Sequence, residues 1–384
     1  MSPASTSRPS PDAVAPGTAP GESRLNAPTG AHRSPTPERP VRFGVVGAGF
    51  IATWFAQAVA AEPAAEIVAV TSARPERAAA YAAKHGVPRT HATLEEMLAA
   101  HTPGSADPVD VIYIGSPNSL HASQTIAALE AGYGVLVEKP FALTPAQARA
   151  MAATAERTGG FLMEAWQTAF EPGTAAIRAA LPRLGALRRA TLVREQFSSR
   201  MTAYRAGELP PAFDPARGGG SLMDLGIYPV SLAIHFLGRP DRVTATAQLL
   251  DSGVDSHGTV VLSYDSGEHA GLEVACLHSK TSANALGSQI AGESSALLLD
   301  HCQWPERISL VTAPGSDTEA REDLSVTRSG EVMGPLLAEV CRLVRAGARG
   351  SDLHPVASSV TAIEVLAEAR AQIGVRFPDD DTEA

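Results

Sequence analysis

Short apolar runs alternate with helical stretches between residues 41 and 165. The runs are rich in β-branched side chains, which is typical of buried strands, and they span residues 41–46, 66–71, 109–114, 134–137 and 161–165. The stretches between them predict helices over 50–60, 75–84 and 119–131. A further helix begins at Thr144-Pro145, because threonine is a good N-cap and proline suits the first helical position. Strands that alternate with helices indicate a parallel sheet built of β-α-β units.

The pattern changes after about residue 185, where apolar and polar positions alternate as they do in half-buried strands. Strands are predicted at 187–197, 243–250, 259–264, 270–277, 288–291, 296–299 and 308–312. Asp265-Ser266-Gly267 is a hairpin signal between two of these runs. The second half therefore predicts a mostly antiparallel sheet with one face exposed or covered by a partner. Helices are predicted at 221–236, 334–346 and 357–373.

Composition and charge narrow the class of protein. The first 40 residues are rich in Pro, Ser, Thr, Ala and Gly and lack the order of a secretory signal, so we expect a disordered tail. No run of about 18 apolar residues occurs, so no membrane span is expected and a cytoplasmic location is the default. The net charge of -10 disfavours nucleic acid as a partner. The widely spaced Cys276, Cys302 and Cys341 predict buried, inert thiols and no zinc site.

A glycine-rich turn, Gly47-Ala48-Gly49, follows the first predicted strand and precedes a predicted helix. In that context Gly47 permits a tight turn, Gly49 lets the backbone approach a pyrophosphate, and Ala52 lets the helix pack close to the strand. The N–H groups at the start of the helix then face the phosphate oxygens. The turn therefore predicts a dinucleotide site, the alternative being a turn without a ligand.

The end of the second predicted strand bears on the choice of dinucleotide. An acidic residue there would bind the ribose 2′-hydroxyl of NAD, but this chain has Thr71-Ser72-Ala73-Arg74, with Arg77 one helical turn further on. Hydroxyl and guanidinium groups suit a 2′-phosphate better than a carboxylate does. NADP is therefore favoured, with NAD as the alternative, unless the two arginines only form a solvated helix face.

Two further groups of polar residues follow strands of the same predicted sheet. Glu138-Lys139-Pro140 comes directly after one strand, and the segment 115–121, with Ser116, Asn118 and His121, comes after another. Ligands of doubly wound sheets bind at this edge, so Lys139 is expected near the nicotinamide, where it can bond a substrate hydroxyl. The alternatives are a surface lysine, a capping asparagine and a partly exposed helix histidine.

Asp224 and Tyr228 lie four residues apart after a glycine run in the second half, so they share one helix face. Tyr228 is a candidate general acid–base, and we expect the Lys139 ammonium to lower its pKa from about 10. Asp224 is expected to orient the substrate or to balance the lysine charge. The alternative is a capping aspartate and a core tyrosine.

Together these residues resemble the glucose–fructose oxidoreductase / inositol dehydrogenase (Gfo/Idh/MocA) family. The resemblance rests on Gly47-Ala48-Gly49, Pro117-Asn118 with His121, Glu138-Lys139-Pro140, Gly219-Gly220 with Asp224, Gly253-Val254-Asp255 and Gln372-Ile373-Gly374-Val375. It implies an α/β Rossmann domain, a doubly wound parallel sheet at 41–163. It also implies an α+β domain at 164–384, whose open, mainly antiparallel sheet binds substrate and forms a homodimer or homotetramer.

The resemblance also implies roles for single residues. The family's catalytic lysine corresponds to Lys139 and its motif aspartate to Asp224, while Tyr228 stands where inositol dehydrogenases have histidine. Tyrosine at this place is similar to the glucose–fructose oxidoreductase and dimeric dihydrodiol/xylose dehydrogenase branch, which favours NADP. Trp166 is a candidate for stacking on a sugar or aromatic ring, or else a packed aromatic at the domain junction.

The sequence hypothesis is hydride transfer between NADP(H) and a secondary hydroxyl of a sugar, cyclic polyol or dihydrodiol. The alternatives are a glycosidase or lyase that retains its cofactor, and a non-catalytic cofactor- or sugar-binding protein. Candidate catalytic residues are Lys139, Tyr228 and Asp224, with Trp166 and Tyr228 on the substrate. Candidate cofactor contacts are Gly47, Gly49, Phe50, Ile51, Ser72, Arg74, Arg77, Ser116, Asn118, His121, Glu138 and Lys139.

Overall fold

A computed structural model describes residues 39–102, 105, 107–378 and 380. The predicted tail, apart from Arg39 and Pro40, lies outside the described residues. The first half forms a six-stranded, fully parallel sheet in the order β3-β2-β1-β4-β5-β6. Its strands are β1 (Val41–Val46), β2 (Ala65–Thr71), β3 (Arg89–His91), β4 (Val111–Ile114), β5 (Gly134–Val137) and β6 (Leu162–Glu164).

Five helices connect these strands: α1 (Phe50–Ala61), α2 (Pro75–His85), α3 (Leu94–Ala100), α4 (His121–Glu130) and α5 (Pro145–Thr158). Thr144 caps α5 as predicted, because its side chain accepts a hydrogen bond from the backbone N–H of Gln147. The doubly wound parallel sheet predicted from the sequence is confirmed. β3 and α3 were not predicted from the sequence. β3 has only three residues and none of them is buried, so the sequence contains no apolar run there.

The second half forms an eight-stranded sheet in the order β14-β13-β12-β11-β7-β10-β9-β8. Its strands are β7 (Leu187–Glu195), β8 (Arg242–Leu249), β9 (Asp255–Tyr264), β10 (Leu272–Ser279), β11 (Ser288–Gly292), β12 (Ser295–Leu299), β13 (Ile308–Thr312) and β14 (Ala320–Asp323). Neighbours pair antiparallel except β7 and β10, which run parallel. The mainly antiparallel sheet is confirmed, but β14 went unpredicted because all four of its residues are exposed.

The remaining helices are α6 (Pro172–Ala180), α7 (Met201–Arg205), α8 (Ile227–Leu237), α9 (Gly334–Arg345) and α10 (Val356–Ile373). The short helices α6 and α7 were not predicted. α8 continues a π-helical turn at Leu222–Gly226, where the predicted helix at 221–236 begins. One stretch, Pro215–Leu237, is long and apolar enough to cross a membrane, but 78% of its most apolar window is buried inside this fold. That burial is typical of a core helix.

The apolar core has two main parts. One lies between the two sheets and includes α8, α10 and the inner face of the second sheet. The other surrounds β1 and α1 and includes buried residues of α9, namely Leu336, Leu337, Val340, Cys341 and Leu343. α9 therefore packs against the parallel sheet although it follows every strand of the second one. The three thiols are free and buried, and burial raises the pKa of Cys302 to about 12.

Candidate active site

The turn between β1 and α1 has the geometry of a phosphate cradle. Gly47 has φ 95°, and a Cβ there would lie 2.5 Å from the carbonyl oxygen of Gly115. A Cβ on Gly49, in contrast, would meet nothing within 4 Å, so its backbone faces open space. No side chain caps the N-terminus of α1, which leaves its first N–H groups directed at that space.

A groove of about 910 Å³ extends from this turn along the carboxyl edge of the parallel sheet. Its walls include Ser72, Arg74 and Arg77 beside β2, and Ser116 after β4. Arg74 and Arg77 are exposed, and neither guanidinium has an ion-pair partner within the described part of the chain. They are therefore free to bind an anion at the far end of the groove.

A second cavity, of about 590 Å³, adjoins the groove. Both are lined by Phe50, Ile51, Ser116 and Asp224, so one elongated molecule can reach from the glycine turn into the cavity. The cavity also contains Lys139 and Tyr228. The structure thus brings together the three residues that the sequence singled out as catalytic candidates.

Asp224 lies between two lysine ammonium groups. Its Oδ1 is 3.0 Å from Nζ of Lys139, which follows β5, and its Oδ2 accepts a hydrogen bond from Nζ of Lys280, which follows β10. Nζ of Lys139 also donates to the backbone carbonyl of Asp224 at 3.2 Å. Two lysines from different sheets therefore converge on one carboxylate, and the sequence did not indicate the second.

Electrostatics fix the charge of this group. Burial alone would raise the pKa of Asp224, but Lys139 and Lys280 outweigh it and hold that pKa well below its usual range. Burial alone would lower the pKa of Lys139, but Tyr228 and Asp224 raise it above its usual value. Lys139 is therefore a permanent hydrogen-bond donor at neutral pH.

Tyr228 lies beside Lys139, with Nζ 5.0 Å from its ring centroid. The side chain is buried, and its hydroxyl makes no hydrogen bond within the part of the chain that the structure describes. The predicted lowering of its pKa is wrong for this structure: burial raises the pKa of Tyr228, and Lys139 opposes that only in part. The phenol is therefore protonated at neutral pH.

The start of the π-helical turn is anchored by buried polar groups. The backbone N–H of Leu222 donates to Oδ2 of Asp255 at 2.6 Å, and the Ser221 hydroxyl contacts Nδ1 of His278 at 3.0 Å. Asp255 and His278 are each 1% exposed. They fix the turn that carries Asp224, which gives Gly253-Val254-Asp255 a structural role beside the site.

Glu138 and His121 are buried next to the segment that contains Lys139 and make hydrogen bonds that hold it in place. Glu138 is buried, and its Oε1 accepts a hydrogen bond from the Tyr113 hydroxyl at 2.8 Å. Burial raises the pKa of Glu138 to about 7. His121 is fully buried, with Nδ1 2.8 Å from the Pro140 carbonyl and Nε2 3.1 Å from the Ser116 carbonyl. Both ring nitrogens face backbone carbonyls, so His121 holds the segments after β4 and β5 together; it also lines the cavity, and its contact with the cofactor stays a prediction.

Asn118 and Ser116 lie where the groove meets the cavity. The Asn118 side-chain amide donates to the Gly218 carbonyl at 3.3 Å, across to the loop before the π-helical turn, and it does not cap a helix. Ser116 donates to Oε1 of Gln124 at 2.6 Å. These contacts hold the entrance of the cavity in shape.

Trp166 does not reach the cavity. It is fully buried, and its ring packs against His354 at 5.0 Å and His235 at 5.4 Å between centroids, so a stacking role on substrate is excluded in this structure. The tryptophans that do line the cavity are Trp54, on α1, and Trp304, whose centroids are 6.2 Å apart. No motif surrounds Trp304 in the sequence, so no local signal pointed to it.

Four more cavity residues were missed, namely Arg194, Gln196, Leu225 and Gln303. Arg194 lies near the end of β7, and Lys280 directly follows β10; these strands are parallel, with Arg194 opposite His278. Parallel strands deliver the residues at their carboxyl ends to the same edge. The signal was therefore present in the sequence, but only a parallel pairing of two distant strands reveals it.

A doubly wound domain, a phosphate cradle and an adjoining Lys-Asp-Tyr cavity define an oxidoreductase that uses a nicotinamide dinucleotide. The chain belongs to the Gfo/Idh/MocA oxidoreductase family. Residues 41–165 match the family model for an oxidoreductase family with an NAD-binding Rossmann fold, and residues 183–295 match the GFO/IDH/MocA C-terminal domain. The resemblance found in the sequence is thereby confirmed.

Relatives of known activity match along nearly their whole length. The scyllo-inositol 2-dehydrogenase (NADP(+)) IolU of Bacillus subtilis is 34% identical over 340 residues, 88% of this chain and 99% of its own. The trans-1,2-dihydrobenzene-1,2-diol dehydrogenase of Bos taurus is 31% identical over 356 residues, with coverages of 88% and 99%. Among solved structures, a 3-ketoreductase from Actinomadura kijaniata with NADP and TDP-benzene has a TM-score of 0.72 at 22% identity, covering 88% of this chain and 100% of that one. This structural likeness confirms the fold.

Proposed function

We propose that the protein is an NADP-dependent dehydrogenase that interconverts a secondary hydroxyl and a ketone on a sugar, cyclic polyol or dihydrodiol. The observation that carries the proposal is the position of Lys139 and Tyr228 in a cavity that continues the dinucleotide groove. The inositol and dihydrodiol dehydrogenases among its relatives are named for cyclic substrates that carry hydroxyl groups.

The groove fits a dinucleotide. Gly47 and Gly49 leave room for a pyrophosphate at the N-terminus of α1, and Phe50, Ile51 and Ser116 line the passage toward the nicotinamide end. Arg74, Arg77 and Ser72 would hold the 2′-phosphate that distinguishes NADP, as the named cofactor of the Bacillus subtilis relative also favours. When bound, the nicotinamide exchanges a hydride with the carbinol carbon of the substrate.

The protein's own groups manage the hydroxyl proton. Lys139, held as an ammonium by Asp224, would donate a hydrogen bond to the substrate oxygen and stabilise negative charge on it. The protonated Tyr228 hydroxyl would give its proton to that oxygen during reduction. For oxidation the phenol would first release its proton to solvent, so that the tyrosinate can accept the proton of the substrate hydroxyl. Asp224 would orient Lys139 from the other side of the cavity.

Replacing Tyr228 by phenylalanine tests the assignment. With the best substrate from a panel of sugars, polyols and dihydrodiols, we expect Tyr228→Phe to lower kcat by about 100-fold or more, because general acid–base catalysis contributes that much. Nicotinamide absorbance measures the rate, and fluorescence titration measures the affinity for NADPH, which should stay within about threefold.

Tyr204→Phe is the matched control, since its hydroxyl bonds the backbone of Ser252 outside the cavity. The acid–base role would be refuted by a Tyr228→Phe enzyme that works at the parent rate. A protein that holds NADP tightly and transforms a substrate without net nicotinamide reduction would instead support the cofactor-retaining alternative.

We extend the proposal to the organisation of the chain. Residues 41–163 are assigned to the Rossmann domain and residues 164–384 to the substrate and oligomerisation domain, in a cytoplasmic homodimer or homotetramer. Support for association comes from the second sheet, where the partly exposed Val261, Ala275 and Leu277 lie on the face away from the core. Sedimentation equilibrium measures the oligomeric state.

A further inference from the structure

Arg194 is a buried cation without an acidic partner. Its side chain lines the cavity although the residue is only 9% exposed, and it makes no salt bridge to any described residue. Desolvating a guanidinium costs several kcal/mol unless another charge or several hydrogen bonds offset the loss of water. Such a group, pointing into a ligand cavity, calls for an anion that the protein itself does not provide.

Two neutral amides hold the guanidinium in one orientation. Nε donates to Oε1 of Gln303 at 2.8 Å, and Nη2 donates to Oε1 of Gln196 at 2.7 Å. Nη1 makes no hydrogen bond to the described residues and is not sealed from solvent. Gln303 is itself 4% exposed. The amides therefore fix the fork without neutralising it, and they leave donors free for a ligand.

The charges around the cavity do not balance. Lys139, Lys280 and Arg194 contribute three cations, whereas Asp224 is the one carboxylate among the described residues that contacts either lysine side chain. Glu138 is the other carboxyl group in the lining, but it is buried against the Tyr113 hydroxyl. Asp224 is shared by two ammonium groups, so positive charge remains in excess at the Arg194 side.

Arg194 is also within reach of a molecule that reacts at Lys139. Its Cζ lies 6.0 Å from the centroid of the Tyr228 ring, and Nζ of Lys139 lies 5.0 Å from the same centroid. The two cations thus approach one aromatic ring, and a single sugar-sized molecule placed with a hydroxyl at Tyr228 can extend to Arg194.

We propose that Arg194 binds a carboxylate of the substrate, so that the preferred substrates are acidic sugars such as hexuronates and not neutral polyols. This inference rests on the proposed function, because it describes the substrate of the same site. A carboxylate placed at the free Nη1 accepts a charge-assisted hydrogen bond and offsets the charge of the guanidinium, whereas a neutral hydroxyl leaves that charge uncompensated.

Matched substrates test the charge alone. A panel of hexuronates, the corresponding hexuronamides and the parent hexoses is compared with NADP, using kcat/KM from nicotinamide absorbance. We expect a hexuronate to exceed its own amide by about tenfold or more, because a hydrogen bond to a charged partner contributes about 1.5–3 kcal/mol. Arg194→Gln should lower kcat/KM about 10- to 100-fold for the hexuronate and by less than about threefold for the amide.

The amide rate in the same variant shows that the fold and the catalytic groups are intact. Arg194→Lys, which keeps the charge but not the planar fork, should recover part of the loss. Arg188→Gln makes the same change on the same strand, where Arg188 pairs with Glu293 outside the cavity, and should leave both substrates unchanged.

The outcomes separate this inference from the function it builds on. If the protein reduces or oxidises neutral sugars at least as well as their acids, and Arg194→Gln affects both equally, the carboxylate assignment is wrong while the dehydrogenase stands. If none of these compounds, and none of the polyols and dihydrodiols of the first panel, is turned over with either nicotinamide cofactor, the proposed function itself fails.

Discussion

At the scale of single residues, the charge state of the site is set by what surrounds each group. Asp224 stays ionised because two ammonium groups contact it, and Lys139 stays protonated because the Asp224 carboxylate contacts it. A lysine in that state can donate but cannot accept a proton. During oxidation the proton that leaves a substrate hydroxyl can therefore pass to Tyr228 only after the phenol has released its own proton to solvent.

Arg74 carries a prediction about the cofactor. Arg74→Gln should raise KM for NADP by about 10- to 100-fold and leave KM for NAD within about threefold, because a charged hydrogen bond to the 2′-phosphate is lost only for NADP. Lys84→Gln is the control, since Lys84 is exposed on α2, the helix that Arg74 precedes, and lies outside the groove. An equal change for both cofactors would show that Arg74 does not contact the 2′-phosphate.

Glu138 carries a prediction about pH. Its pKa rises from 4.5 to about 7 on folding, so the folded state binds the proton more tightly than the unfolded chain does. Its contribution to stability is full below about pH 4.5 and is lost as the pH rises through about 7. The loss is about 3 kcal/mol at most.

Glu138→Gln removes that dependence. Urea denaturation at several values between about pH 5 and pH 8 should show the stability of the parent falling relative to the variant as the pH rises. Glutamine keeps an oxygen for the Tyr113 hydroxyl, so the variant isolates the titration. A constant difference across the range would contradict a raised pKa.

At the scale of elements, α9 ties the end of the fold to its beginning. The helix begins at Gly334, after all the strands from β1 to β14, yet its apolar face is buried with β1 and α1. The parallel sheet therefore obtains one of its covering helices from the second half of the chain. A domain boundary at residue 163 therefore separates the sequence motifs of the two domains, but α9 still belongs to the apolar core of the first domain.

Truncation of Leu337 tests how much the packing of α9 contributes to stability. It is fully buried, so Leu337→Ala should lower the free energy of unfolding by about 2–5 kcal/mol, the range for leucine truncation in a packed core. Ala338→Ser, on the exposed side of the same helix, should change it by less than about 0.5 kcal/mol. Equal stability of the two variants in urea would mean that α9 is not a part of the core.

At the scale of the whole molecule, the elements with strong apolar periodicity could be predicted and the contacts between distant elements could not. The parallel sheet, the hairpin at Asp265-Ser266-Gly267 and the cap at Thr144 follow from local signals. β3 and β14 have no buried residues and therefore no apolar run in the sequence; they are strands only because they pair with a neighbouring strand. Local periodicity contains no information about such pairing.

The same distinction separates the site residues that could be predicted from those that could not. Lys139, Asp224 and Tyr228 were found because each belongs to a short motif, and the structure brings them together. Lys280, Arg194 and Trp304 were missed because their place depends on the parallel pairing of β7 with β10 and on a loop after β12. Trp166 was misplaced because an aromatic residue beside a motif does not reveal which way its ring points.

The position of α9 also has a consequence for biosynthesis. A ribosome completes β1 and α1 early, but it makes the helix that covers them only after every strand of both sheets. Until then, the nascent chain has an uncovered apolar surface around β1 and α1, the kind of surface that chaperones recognise. A stop codon anywhere before residue 334 would therefore damage the cofactor-binding half as well as the half it truncates.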